Sequence, residues 1–245
     1  MDNAIYVGLS RQITLQRALD IAANNLANTD TTGYKFEELM TGADPVMPAH
    51  SKVGSTPVTF VTANGVARDY TQGPLTQTGE PLDVAIDGKG FFQVSTADGT
   101  RYTRDGRFML DPTGKLVTQD GDAVQGGGGD INLDPKKGPV SISATGVISQ
   151  GGAVVGQMSV VNFDDLSVLS KDDNNLFEDT SNSTPQPATG ALIKQGMLEG
   201  SNVQPITQIT RLIEINRAYA AASDMITSTS DLSKSAVERL GSATS

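Results

Sequence analysis

Apolar positions recur with a helical period at both ends of this chain and with a period of two between them. From Ala4 to Asn28 there is no proline and a single glycine, Gly8. At 100° per residue, Ile5, Leu9, Leu15, Leu19, Ala22, Ala23 and Leu26 collect on one face, as in an amphipathic helix. Asp2 or Asn3 can cap its first turn. The Asn24-Asn25 pair, Asn28 and the run Thr29-Asp30-Thr31-Thr32-Gly33 end it, because Asn and Gly tolerate the left-handed backbone. Val7, Ile13 and Ile21 fall outside the stripe, so one packing face does not account for every apolar residue.

The far end mirrors this pattern. A periodic stretch runs from about Gln204 to Leu240, with Pro205 placed to suit a first helical turn. Ile206, Ile209, Leu212, Ile213, Tyr219 and Ala220 share a face, and Ile226 and Val237 continue it. The stripe drifts backward around the wheel. A 3.5-residue repeat on a 3.6-residue helix does this, so the pattern predicts a left-handed supercoil. A helix of about 36 residues would be roughly 50 Å long.

Between the helices, turn signals crowd in: Asp87-Gly88, Asp98-Gly99, Asp105-Gly106, Thr113-Gly114, Asp120-Gly121, Thr145-Gly146 and Gly151-Gly152. Short apolar or alternating segments separate them, over 83–86, 90–94, 101–104, 107–110, 116–118, 140–143, 147–150 and 154–163. This spacing predicts an antiparallel β domain of hairpins. Residues 34–79, rich in Thr, Pro and Gly, read as an extended connector with one strand at 58–62, and 172–189 as loop. The fold class is therefore mixed. N- and C-terminal amphipathic α-helices form a coiled-coil-like stalk, and a central antiparallel β domain lies between them. The boundaries fall at 1–33, 34–79, 80–200 and 201–245.

The 245 residues carry 18 Lys+Arg against 28 Asp+Glu, a net charge of −10. That disfavours nucleic acid and anionic lipid as partners. There is no cysteine, which excludes disulfides, thiolate metal sites and cysteine nucleophiles. The lone histidine, His50, sits among Pro48, Ala49 and Ser51 and reads as a surface residue. No apolar run is long enough to span a membrane, and Met1-Asp2-Asn3 lacks the basic start of a Sec signal.

Candidate chemistry is sparse. Gln125 to Asp130 is glycine-rich but lacks the Lys-Ser/Thr of a phosphate loop and opens no helix. Asp120-Gly121-Asp122 begins like a calcium loop, but no Glu stands at its twelfth position, so it reads as a hairpin turn. Asp172-Asp173 reads as a solvated pair, and Ser10 has no nearby histidine to activate it. No catalytic, cofactor-binding or metal-ligating residue is expected, and no cofactor. The helices carry the sharper signal. Two paired helices alone have too little core to stand. Neighbouring copies would supply the missing surface, and the terminal segments would order on assembly.

Three ordered motifs resemble one known family. The first is Asp2-Asn3-Ala4-Ile5-Tyr6-Val7-Gly8-Leu9-Ser10-Arg11-Gln12, with Ala23-Asn24-Asn25-Leu26-Ala27-Asn28 and Thr32-Gly33-Tyr34-Lys35. The second is Thr78-Gly79-Glu80-Pro81-Leu82-Asp83-Val84-Ala85-Ile86, leading to Gly88-Lys89-Gly90-Phe91-Phe92, Tyr102-Thr103-Arg104-Asp105-Gly106-Arg107-Phe108 and Gly114-Lys115-Leu116-Val117. The third is Gly196-Met197-Leu198-Glu199-Gly200-Ser201-Asn202-Val203 with Asn216-Arg217-Ala218-Tyr219. Together they resemble the flagellar basal-body rod and hook family over nearly the whole chain, and the opening is most similar to its proximal rod members. The chain departs from the family pattern at Gln208 and Asn216, where Glu and Gln are usual, and over 172–189.

The resemblance implies a non-enzymatic structural subunit of the bacterial flagellar rod. Its partners would be copies of itself, other rod subunits and the flagellar type III export apparatus, without membrane insertion. It would reach the periplasmic basal body without a cleaved Sec signal. The terminal helices would line the inner tube with the β domain outside. The expected assembly interface is Ile5, Leu9, Leu15, Leu19, Leu26, Ile206, Ile209, Leu212, Ile213, Tyr219, Ile226 and Val237. Two other readings compete: a distal rod subunit of the same family, and a secreted β-rich hydrolase of peptidoglycan with paired carboxylates.

Overall fold

A computed structural model describes residues 2–46, 58–172, 174–181 and 183–242. His50 therefore lies outside the described residues, as do Asp173 and the side chains of Asp2 and Asn3. The chain forms two units that interleave along the sequence. One draws on the described parts of 1–27, 37–69 and 204–245, the other on 28–36 and 70–203.

The first unit holds the two helices, α1 (Asp2–Ala27) and α2 (Pro205–Ser242). Both long periodic stretches are helical, and α2 starts at the proline that suits a first turn. The helices run antiparallel. At one end, Gly8 of α1 meets Ile226 of α2; at the other, Ala22 and Asn25 border a small cavity with Gln208. A Cβ at Gly8 would lie 2.8 Å from Ile226 Cγ1, so a glycine lets the two backbones approach. The buried positions of α2 are Gln208, Ile215 and Ala222, each seven residues from the next, and half-buried Thr229 and Ala236 continue the series. On α1, Gly8, Thr14, Ala22 and Asn25 are buried.

The same unit contains a two-stranded ribbon of β1 (Phe36–Val46) and β2 (Val58–Asp69). The connector thus carries two long strands where the sequence pattern showed one short strand. Its Thr, Gly and Pro content gives no apolar alternation, so the two strands leave little periodic signal in the sequence. Asn25 fastens the ribbon to α1: its Nδ2 donates to the Glu37 carbonyl at 2.7 Å, and its Oδ1 accepts from the Glu37 N–H at 3.0 Å. Thr14 Oγ1 donates within its own helix to the Ser10 carbonyl at 2.9 Å.

The second unit is the antiparallel β region. Its ten-stranded sheet runs Leu169–Lys171, Leu176–Asp179, Gly99–Thr103, Phe91–Thr96, Ala123–Gly126, Leu116–Val117 and Met109–Leu110, with three short strands attached at the side. A three-stranded sheet joins Val140–Ile142, Val147–Gln150 and Ala153–Gln157. Val84–Asp87 pairs with Leu192–Gln195, and Leu75–Gln77 with Met197–Glu199. One core gathers Val84, Ile86, Phe92, Phe108, Leu116, Ile131 and Ile148. A second gathers Phe91, Tyr102, Phe163, Leu169 and Phe177 in edge-on ring contacts.

Two expectations about strands need correction. The apolar run over 154–163 is not one strand but two, Ala153–Gln157 and Val160–Asn162, which serve different sheets. The polar stretch 172–189 is not all loop, for it includes Leu176–Asp179 and Gln186–Pro187. Asn174 and Asn175 sit at φ 57° and 59° in the turn between Leu169–Lys171 and Leu176–Asp179. Asn tolerates that left-handed backbone, and two such residues in succession make a hairpin turn.

Candidate functional site: a buried clasp and two exposed helix faces

After the helix seam is formed, apolar side chains are left over on both helices. On α1, Tyr6, Leu9 and Ile13 are 61%, 45% and 50% exposed. On α2, Ile206, Ile209 and Ile213 are 82%, 47% and 50% exposed. Both trios have i, i+3, i+7 spacing, which aligns their members along one side of a helix. Farther along α2, Met225, Leu232 and Val237 are also exposed. Of the expected interface, then, Leu9, Ile206, Ile209, Ile213 and Val237 face outward. Ile5, Leu15, Leu19, Leu26, Leu212, Tyr219 and Ile226 are half-buried. The seam residues Gln208, Ile215 and Ala222 were absent from the expected set. A wheel weighted by hydrophobicity passes over a Gln and an Ala, although small or polar residues are what a close helix pair can bury.

The second feature lies inside the β-rich unit and involves charge. Glu199 is wholly buried. One carboxylate oxygen, Oε1, accepts from Lys35 Nζ at 2.6 Å and from the Gly73 N–H at 3.0 Å. The other, Oε2, accepts from Arg104 Nη1 at 2.9 Å. The Lys35 and Arg104 side chains are 1% and 4% exposed. Lys35 Nζ also donates to the Thr71 carbonyl at 2.7 Å, and Arg104 Nη2 to the Gly88 carbonyl at 2.8 Å. Arg104 lies 5.4 Å from the Phe91 ring centroid. Burial pulls its guanidinium below the usual arginine range, with Glu199 opposing that shift. Its Nε finds no partner among the described residues.

The backbone is shaped to let these groups meet. The Gly33 N–H donates to the Glu199 carbonyl at 2.8 Å, and the Phe36 N–H to Asn202 Oδ1 at 2.7 Å. Gly33 sits at φ +70°, where a Cβ would press against the Asp105 backbone nitrogen. A Cβ on Gly73 would collide with the Gly200 carbonyl. Lys171 Nζ lies 4.5 Å above the buried Tyr34 ring. Motif spacing alone cannot reveal this cluster, because Lys35 and Glu199 are 164 positions apart and Arg104 and Glu199 are 95 apart.

The remaining candidates take plain structural roles. Asp122 belongs to a tight turn in which its carbonyl accepts from the Thr118 N–H at 2.9 Å. Ala123–Gly126 and Gly129–Asp130 pair as a hairpin across the glycine run. Arg101 donates to Asp172 at 2.6 Å. Ser10 Oγ donates to the Val7 carbonyl at 2.9 Å within α1. Among the described residues no group of three His, Cys, Asp or Glu is placed to hold a metal ion. No described helix is long and apolar enough to cross a membrane.

A helix pair with apolar sides left over, and chain segments clasped onto a filled β core, are features of a structural protein. Comparison with known proteins gives the family. Residues 5–35 match the family described as flagella basal body rod protein. Residues 85–150 match the flagellar hook protein FlgE/F/G D1 domain, and 194–239 the C-terminal region of flagellar basal body rod FlgEFG proteins. The chain is 56% identical to the flagellar basal-body rod protein FlgF of Caulobacter vibrioides, covering 98% of this chain and 99% of the relative. It is 35% identical to FlgF of Mesorhizobium japonicum, with 99% of each covered. Against the rod protein FlgG of Bacillus subtilis the identity is 34%, with 95% and 97% covered. The chain belongs to the flagellar basal-body rod family and is a structural rod protein, not an enzyme. The hydrolase reading finds no support among these relatives. Each of the three matched segments contributes one residue to the clasp: Lys35, Arg104 and Glu199.

Proposed function

We propose that this chain is a subunit of the proximal rod, polymerising with copies of itself and other rod subunits into the shaft that carries motor torque to the hook. The observation that carries the reading is the pair of exposed apolar trios, Tyr6-Leu9-Ile13 and Ile206-Ile209-Ile213. A helix face that stays apolar and exposed in one chain is surface for another. A heterologous contact that does not close on itself generates a helical array. In this proposal residues 1–33 and 201–245 line the inner tube, 34–79 connect, and 80–200 pack outside. The seven-residue spacing of Gln208, Ile215 and Ala222 supports a coiled-coil-like pairing of α1 with α2.

The proximal over the distal position is favoured by the identities, 56% to a relative named FlgF against 34% to one named FlgG. We place the subunit in the periplasmic part of the basal body, delivered by the flagellar type III export apparatus. The absence of cysteine suits an oxidising compartment in which stray disulfides would form.

The test is electron microscopy of basal bodies from a strain lacking this chain, complemented with the intact gene or with Ile213→Asp. The proposal expects rings without a completed rod, repair by the intact gene, and no repair by the variant, because a charge buried in a contact between subunits costs several kcal/mol. Normal rods and hooks in the deletion strain would overturn it. Full motility of the Ile213→Asp strain would remove Ile213 from the interface.

A further inference from the structure

We propose that Glu199 is a latch that makes the docking of the segments following α1 and preceding α2 onto the β-rich unit one cooperative event. This holds whether or not the chain polymerises. Three stretches distant in sequence converge on this one carboxylate: Lys35 from 28–36, the Gly73 N–H from 71–74, and Arg104 from the end of the strand Gly99–Thr103. Main-chain bonds tie the same stretches together, from the Gly33 N–H to the Glu199 carbonyl and from the Gly200 N–H to the Pro74 carbonyl, and the Phe36 N–H donates to the Asn202 side chain.

The physics penalises every half-closed state. A buried charge is tolerated only when it is paired and hydrogen-bonded. If 28–36 docked while 197–202 stayed away, Lys35 and Arg104 would enter the interior without the carboxylate both of them contact. If 197–202 docked first, Glu199 would be buried with Arg104 alone. Only the fully closed arrangement gives each oxygen of Glu199 its cation. Gly33 and Gly73 add steric precision, since neither position has room for a Cβ against the backbone it faces. Sliding either segment by one residue would bring a side chain into that contact.

Hydrogen exchange by mass spectrometry on the full-length chain tests this. Glu199→Gln keeps the shape and removes the charge. It should raise exchange at least tenfold in 29–36, 71–75 and 199–203 together, while Phe91–Thr96 keeps its protection. Lys35→Met leaves the Glu199–Arg104 pair and should loosen the same three stretches together by a smaller factor. The double variant should exchange no faster than about the Glu199→Gln chain, because an opened latch cannot open twice. If Glu199→Gln fails to fold, Lys35→Met alone decides by the same criterion. Loosening confined to the stretch that carries the substitution, or no loosening in any of them, would overturn the latch.

Discussion

The two units of this molecule solve the burial problem differently. The β-rich unit is filled: Val84, Ile86, Phe92, Val94, Leu116, Val124 and Ile148 are at most 1% exposed. In the helical unit, the buried apolar residues among those described are Ala22, Ile215 and Ala222. Thr14, Asn25, Glu37 and Gln208 share that interior, and Gln208 Oε1 has no partner among the described residues. Isoleucines and a tyrosine meanwhile remain on its surface. One unit carries its own driving force for folding; the other keeps part of its apolar surface outside the chain. A filled core makes a domain that stands alone, and an unfilled one suits a domain whose final packing involves neighbours.

The sharpest way to break that contrast is to open the filled core. Phe92 is wholly buried, with its ring 5.2 Å from that of Phe108. Phe92→Ala should cost about 3–5 kcal/mol through lost transfer energy and the cavity left behind. Denaturant unfolding followed in the β signal would measure it, and a loss under about 1 kcal/mol would mean that this core relaxes as readily as a surface. Next in size is Asn25→Ala, which removes the side chain bonded to both backbone groups of Glu37. We expect about 1–3 kcal/mol, since buried polar groups lose their partner. Hydrogen exchange should report it first at the start of β1.

How far the sequence disclosed these units follows from the kind of signal each one leaves. The helices were legible because a long proline-free stretch with an apolar stripe has few other solutions. The hairpins were legible because Asp-Gly and Gly-Gly pairs punctuate them. The β1–β2 ribbon was obscured by its Thr, Gly and Pro content, and Leu176–Asp179 by its polar surroundings. The close pairing of the two helices within the chain left no apolar stripe of its own. Stripe-reading rewards large apolar residues, whereas the seam uses Gly8, Ala22 and Ala222 for close approach and leaves Ile206, Ile209 and Ile213 outside. The clasp left no local pattern. Its motifs could be recognised, but no physical reason for Lys35, Arg104 and Glu199 existed until folding brought both cations to the Glu199 carboxylate, at 2.6 and 2.9 Å.

A third substitution sharpens the comparison from the unfilled side. Ile206 is 82% exposed, so Ile206→Asp should change the stability of the isolated chain by less than about 0.5 kcal/mol. If the exposed trio is an assembly surface, the same change should abolish incorporation into rods. Thermal melting of the purified chain and complementation of the deletion strain would be read side by side. A large stability loss in the isolated chain would show that this face already packs within it.

The smallest effect should come from an ion pair within the filled unit that is placed unlike the clasp. Lys115 Nζ meets Asp130 at 2.6 Å, but the two side chains are 34% and 36% exposed. The Lys115 hydrogen bond, then that of Gln125, holds the Asp130 carboxyl below its usual range, and Asp130 raises Lys115. The signs follow from linkage. A depressed carboxylate stabilises above its unfolded value and loses that contribution as pH falls through the folded one. A raised lysine stabilises below its unfolded value and loses the contribution as pH climbs through the folded one. The pair therefore helps across the broad middle range, between the carboxylate and lysine limits. Exposed pairs are worth little and are screened by salt. Asp130→Asn should lower Tm slightly at pH 7, with the difference closing as pH falls below the usual carboxylate range and in about 0.5 M salt. Glu199→Gln, tested at the same salt concentration, should keep nearly its full effect, because ions do not reach a carboxylate with no exposed surface. Equal salt sensitivity of the two variants would mean that the clasp opens to solvent far more often than its burial suggests.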